Sequence, residues 1–338
     1  MNAAARPNWI KGLAPDPYVI AILCMVALAS LLPVRGEAAK DFGAFTKLVI
    51  ALLFFLHGAK LSRDVVMRAL LHWRLHLVII AITFAVFPVV GLLVTRAASG
   101  LLAPTLATGV LFLTCLPSTV QSSIAFTSVA RGNVAAAVCA ASASNFIGIF
   151  LTPLLAALVL GAHGSGASLG QAEAVALQLL APFIAGQIAG VWIAGWMKRH
   201  SRLIGLVDRG SILLVVYGAF SDAVVEGLWS RVTIVQIAWL AAVCLVILAA
   251  ILAISAFSAR RLGFDKADEI AIVFCGSKKS LASGVPMASI LFPAASVGVI
   301  VLPLMLFHQL QLMACAVIAQ RYAARLAVKP SRAAALVG

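Results

Sequence analysis

Apolar residues run along this chain in blocks of about 17–25, the length of helix that crosses a bilayer core. Ten such blocks can be drawn, near residues 17–34, 43–59, 76–95, 104–129, 134–160, 172–197, 210–228, 232–257, 269–292 and 295–322. The pattern predicts an all-α polytopic membrane protein with ten transmembrane helices. The first block, preceded by Arg6 and Lys11, imitates a signal peptide, but nine further spans follow and it reads as a retained first helix.

Two blocks break the apolar rule at their centres. Span 4 carries Leu116-Pro117-Ser118-Thr119-Val120-Gln121-Ser122-Ser123, and span 9 carries Cys275-Gly276-Ser277-Lys278-Lys279-Ser280 with Gly284 and Pro286 close behind. Each is followed by a short turn and then by a span with an internal proline, Pro153 or Pro303. A unit of five spans duplicated in tandem inserts with opposite orientations, so ten helices divide into two inverted five-helix repeats, residues 1–168 and 169–338. Matched interruptions in corresponding helices are the sequence mark of a secondary transporter's binding site. Pro117, Gly276, Gly284 and Pro286 are the expected helix breaks.

Composition agrees: 63% of residues are hydrophobic and 11% charged, with mean hydropathy +1.10. The net charge of +14 is topology rather than nucleic-acid binding. Lysines and arginines crowd the joints at 60–74, 198–209, 260–266 and 321–332, whereas the opposite side has Arg35, Lys40, Lys47, Arg96 and Arg231. That bias puts both termini in the cytoplasm, on the inner face of a cell's cytoplasmic membrane. The cluster from Lys60 to His76, with Trp73, reads as a cytosolic loop anchored at the interface. All six cysteines fall inside apolar blocks at no metal-ligand spacing and read as small buried hydrophobes.

The candidate chemistry lies in the interruptions. A lysine at bilayer depth costs roughly 2.5–3.5 kcal/mol, so Lys278 and Lys279 are expected to have a use. No acidic residue is predicted at their depth on spans 4, 5, 9 or 10; such a site should be wet, bind an anion, or keep one lysine neutral. Adjacent residues diverge by about 100° on a helix, so one lysine, with Lys278 preferred, is expected to face the cavity. The candidate substrate set is Ser118, Thr119, Gln121, Ser122, Ser123, Asn145, Lys278, Lys279, Ser280 and His308. For any single serine or threonine the bland alternative is a helix–helix hydrogen bond; the dense polar run after Pro117 favours a site. No metal centre, HExxH, GxSxG or phosphate loop is present, so an enzyme is not expected.

These motifs, with Phe54-Phe55-Leu56-His57-Gly58, Ala130-Arg131-Gly132-Asn133 and Ser144-Asn145, resemble the bile acid:sodium symporter superfamily, in its SBF-like branch. The resemblance implies a core of spans 3–5 and 8–10, a panel of spans 1, 2, 6 and 7, and crossed discontinuous helices 4 and 9. It also implies alternating-access transport of a small organic anion. Sodium is the coupling ion it suggests, with Thr83, Ser123, Thr127, Ser142 and Ser144 at the corresponding positions. In the better-known symporters span 9 supplies a glutamate to sodium; here that stretch has no carboxylate and two ammonium groups, which removes attraction and adds repulsion. Sodium coupling is therefore in question, with Lys278 proposed in the cation's place. Proton coupling through Lys278 or His308 and a non-transporting regulator of the same fold are the alternatives.

Overall fold

The computed structural model describes residues 17–60, 72–161 and 169–327. Every regular element among them is helical. In chain order these are α1 (Pro17–Leu31), α2 (Glu37–Lys60), α3 (Trp73–Ala81), α4 (Phe87–Ala97), α5 (Pro104–Thr114), α6 (Gln121–Val129) and α7 (Val134–Gly161). The second part has α8 (Leu169–Arg199), α9 (Ser201–Val225), the single turn α10 (Leu228–Arg231), α11 (Ile234–Arg261), α12 (Lys266–Gly276), α13 (Leu281–Leu291) and α14 (Ala294–Ala327). A π-helical turn, Ile82–Val86, joins α3 to α4 into one rod.

Among the described residues, six helices are long and apolar enough to cross a membrane: α2, the α3–α4 rod, α7, α9, α11 and α14. Large apolar side chains point outward along them and along their shorter neighbours, with Leu31 79% and Trp192 75% exposed. Such a surface is stable against lipid and not against water. The molecule is a polytopic membrane protein.

Local signals set the boundaries. Thr233 and Gln236 form a capping box that starts α11. Asp265 accepts from the Asp268 amide and starts α12, and Ser280 accepts from the Ser283 amide and starts α13. Two boundaries differ from the hydropathy reading. Helix α2 begins at Glu37 instead of residue 43, its polar first turns carrying a Glu37–Lys40 pair at 2.8 Å. Helix α9 begins at Ser201 instead of residue 210, because its first turns carry Arg202, Asp208 and Arg209, which window averaging reads as loop. Of the cluster read as a loop from Lys60 to His76, Arg63 and Arg68 lie outside the described residues, whereas Lys60 ends α2 and Trp73, Arg74 and His76 lie in α3. Cys24 is exposed, against expectation, while Cys115, Cys139, Cys244, Cys275 and Cys315 are buried.

Helix α2 packs along α8, and α9 lies against α1, α2 and α14. The α2–α8 crossing is tight because glycines line it. A Cβ on Gly186 would run into the Phe55 carbonyl, and one on Gly58 into the Phe183 carbonyl. Gly190, one turn on, completes a small-residue stripe of the kind that lets membrane helices approach closely. Gly186→Val should therefore push two backbones apart, at a cost of about 1–3 kcal/mol or more. The expected reading is a clear fall in melting temperature in detergent; an unchanged melt would contradict this packing.

Candidate functional site

Both predicted interruptions exist, and they meet. Helix α5 ends at Thr114 and α6 starts at Gln121; α12 ends at Gly276 and α13 starts at Leu281. The Ser280 amide donates to the Pro117 carbonyl at 2.8 Å, and Ser118 Oγ donates to the Cys275 carbonyl at 2.6 Å. Pro117 lies in the first break and Gly276 borders the second. Gly284 and Pro286, expected at the break, lie inside α13. Gly284 instead allows close packing, since a Cβ there would press on Leu116 and Leu304.

An interrupted helix inside a membrane must find partners for its freed backbone groups. Here each carbonyl from Thr114 to Ser118 has one. Lys279 Nζ donates to Thr114 O at 2.6 Å and Leu116 O at 2.7 Å, Thr152 to Cys115 O, Ser280 N to Pro117 O, and Asn145 Nδ2 to Ser118 O. The third Lys279 proton goes to Thr83 O at 2.8 Å, on the π-helical turn, and the Phe87 ring lies 4.0 Å from Nζ. On the second break Gln311 bonds both the amide and the carbonyl of Lys279. Lys278 Nζ donates to Ser122 O at 2.8 Å and sits 3.9 Å from the Phe126 ring centroid.

Both lysines are 0% exposed, and neither lines the two cavities beside the crossover. The lysine expected to face a cavity is not found at either of these two in this conformation. The reason is chemical: an ammonium carries three donors, and two freed carbonyls at the negative end of half-helix α5, Thr114 and Leu116, together with Thr83 O of the π-helical turn, accept all three from Lys279. Lys279, not Lys278, is the residue whose surroundings resemble a small cation's oxygen cage.

The space lies beside the crossover. Two adjoining cavities, about 300 and 320 Å³, share His57, Val120, Gln121, Asn145, Asp208 and Ser283. One wall is the crossover and α7. Of the residues singled out from sequence, Thr119, Gln121, Ser122, Ser142, Asn145, Ser280 and His308 reach it. Ser118, Ser123, Ser144, Thr83 and Thr127 are buried behind it. Ser144 Oγ accepts from the Ser118 amide, and Ser123 lies within 3.4 Å of Ser118 Oγ and donates to Phe274 O. Of the sodium-position residues, Ser142 faces the cavity, the Thr83 carbonyl lies on the Lys279 ammonium, and Ser123 and Ser144 both contact Ser118 at the break. No group of three or more His, Cys, Asp or Glu suited to a metal occurs among the described residues. His308 is tied to Gln311 at 2.9 Å.

The opposite wall was missed from sequence. It is built from Phe54, His57 and Lys60 of α2, Phe183 of α8, and Asp208 and Arg209 of α9. Lys60 Nζ is 3.0 Å from Asp208 Oδ2, and His57 Nε2 is 3.7 Å from Asp208 Oδ1. Lys60 and Asp208 are 148 residues apart along the chain; the lone signal was a histidine in an apolar run.

A model of the SBF-like CPA transporter family matches residues 16–324. The chain belongs to the SBF-like CPA transporter family. It is 54% identical over 336 residues to an uncharacterized protein of Pseudomonas aeruginosa, covering 97% of this chain and 100% of that one. Against YfeH of Escherichia coli, named provisionally as a symporter, identity is 52% over 307 residues, 91% of this chain and 92% of YfeH. Against sodium/bile acid cotransporter 7-A of Xenopus laevis it is 29% over 316 residues, 90% of each chain. The resemblance to the bile acid:sodium symporter superfamily holds, and the protein is a transporter of that type.

Proposed function

We propose that this protein is a secondary transporter that moves a small organic anion across a bacterial inner membrane by alternating access, without sodium. The observation that carries the reading is that two half-helix N-termini open on one cavity. The first turn of α6 contributes Gln121 and Ser122, and the start of α13 contributes Ser280 to Ser283. Helix N-termini present free amides and a positive dipole end, which suit a carboxylate or similar anion. Lys60 and Arg209 on the facing wall add positive charge. A space of about 300 Å³ is at the small end of ligand pockets, so a compact acid fits better than a large one.

In this reading residues 1–168 and 169–338 are inverted repeats, and the ten spans leave both termini in the cytoplasm. The half-helix pairs α5–α6 and α12–α13 are spans 4 and 9, crossing within a core of spans 3–5 and 8–10. Spans 1, 2, 6 and 7, the helices α1, α2, α8 and α9, form the panel. The core moves against the panel and exposes the cavity to either side. Lys279 Nζ, donating to three carbonyls, stands in the place of a bound sodium ion.

The test is counterflow in proteoliposomes, using acids that cross bare bilayers slowly: gluconate, p-aminohippurate, taurocholate and a set of dicarboxylates. At least one should be taken up faster when the vesicles are preloaded with it. No counterflow for any of them, from folded protein, contradicts the reading.

A further inference from the structure

With both crossover lysines bound to carbonyls, the exchangeable charge at the cavity lies on the other wall. The crossover and α7 present hydroxyls and amides there, Thr119, Gln121, Ser142, Asn145 and Ser283 among them. Titratable and charged groups come from α2 (His57, Lys60) and α9 (Asp208, Arg209), with Tyr18 of α1 and His308 of α14 at the margin; α8 contributes Phe183. Of these, Arg209 lies over the Tyr18 ring at 5.7 Å, and His308 is engaged by Gln311.

The acid among them is unusual in its bonding. Asp208 Oδ2 is held by Lys60, but Oδ1 is buried and has no hydrogen-bond partner, with the His57 ring nitrogen 3.7 Å away. A buried carboxylate oxygen left in that condition costs about 1–3 kcal/mol or more. A proton on the imidazole would turn that near miss into a charge-assisted pair.

We infer that His57 and Asp208 form the site that takes the coupling proton, so that the anion travels with one proton in place of sodium. The inference rests on the transport reading above. A hydrated proton gives its proton to His57 Nε2, leaving water, and the imidazolium faces Asp208 Oδ1. The incoming anion then meets three cations, Lys60, Arg209 and His57, against one carboxylate. After the core has moved, His57 returns the proton to water on the other side and the anion leaves. One N–H bond forms and the same one breaks, and for a monoanion the cycle carries no net charge.

The experiment uses the full-length protein in liposomes, with gluconate, p-aminohippurate and taurocholate as probes and protein-free vesicles as the blank. For whichever monoanion shows counterflow, an inward proton gradient of one pH unit should drive accumulation of up to about tenfold, with sodium absent. His57→Gln and Asp208→Asn should lower that ratio toward one while counterflow is still measurable, and Asp208→Glu should restore it in part. A purely structural ion pair would lower both activities together and leave their ratio intact. If wild-type counterflow occurs but the proton gradient drives nothing, or if His57→Gln keeps the full gradient response, the proton site is overturned and the transport reading stands. If the wild type shows no counterflow, the transport reading falls and this inference falls with it.

Discussion

Lys279→Met is expected to be the most damaging single substitution in the crossover. It leaves three buried carbonyls, Thr83, Thr114 and Leu116, without the donor they share. Each unpaired buried group costs about 1–3 kcal/mol. Together they approach the whole stability of an ordinary domain, about 5–15 kcal/mol. The variant should be recovered in low yield, with a large drop in melting temperature. Lys279→Arg should fail as well, because a planar fork cannot direct donors to three carbonyls that converge on one point. Lys278→Met should be milder, since one carbonyl and the Phe126 and Phe274 rings hold that ammonium. Thermal melts of the three variants in one detergent rank them directly. Equal stability for Lys279→Met and wild type would remove the ammonium cage from the account.

The second large effect is expected at Asn145, and it falls on transport. Asn145 Nδ2 donates to the Ser118 carbonyl at 2.7 Å, and its Oδ1 accepts from Ser283 Oγ at 2.7 Å. One side chain thus joins the first break to the start of α13 while facing the cavity. Asn145→Asp keeps the shape and the acceptor for Ser283, but sets a carboxylate oxygen against the Ser118 carbonyl and a negative charge in an anion site. Uptake should fall by tenfold or more, which corresponds to about 1.4 kcal/mol of lost anion binding. The melt should move much less than for Lys279→Met. Uptake at wild-type rate would show that the cavity does not hold an anion near this residue.

How much of this was legible in the sequence depended on range. The two breaks were readable because Pro117 and Gly276 stand in polar runs within apolar blocks, and such punctuation is local. Gly284 and Pro286 misled, because a glycine can serve close packing and a membrane helix tolerates a proline when neighbours satisfy the backbone. That Lys278 and Lys279 had a purpose was clear from the cost of burying them. Their partners were not, since the carbonyls of Thr83, Thr114, Leu116 and Ser122 have no residue-type signature. Asp208 falls in the basic joint at 198–209 because charged turns lower the window average at the start of α9. Its pairing with Lys60 and His57 needed the fold, since nothing local links positions so far apart.

If the Lys279 ammonium stands in place of sodium, transport needs no sodium at all. The direct measurement is initial uptake of a counterflow-active anion into proteoliposomes at fixed pH, with sodium on both sides or with N-methylglucamine replacing all of it. The account predicts equal rates and no accumulation driven by a sodium gradient alone. Stimulation by sodium of about tenfold, saturating with its concentration, would contradict it.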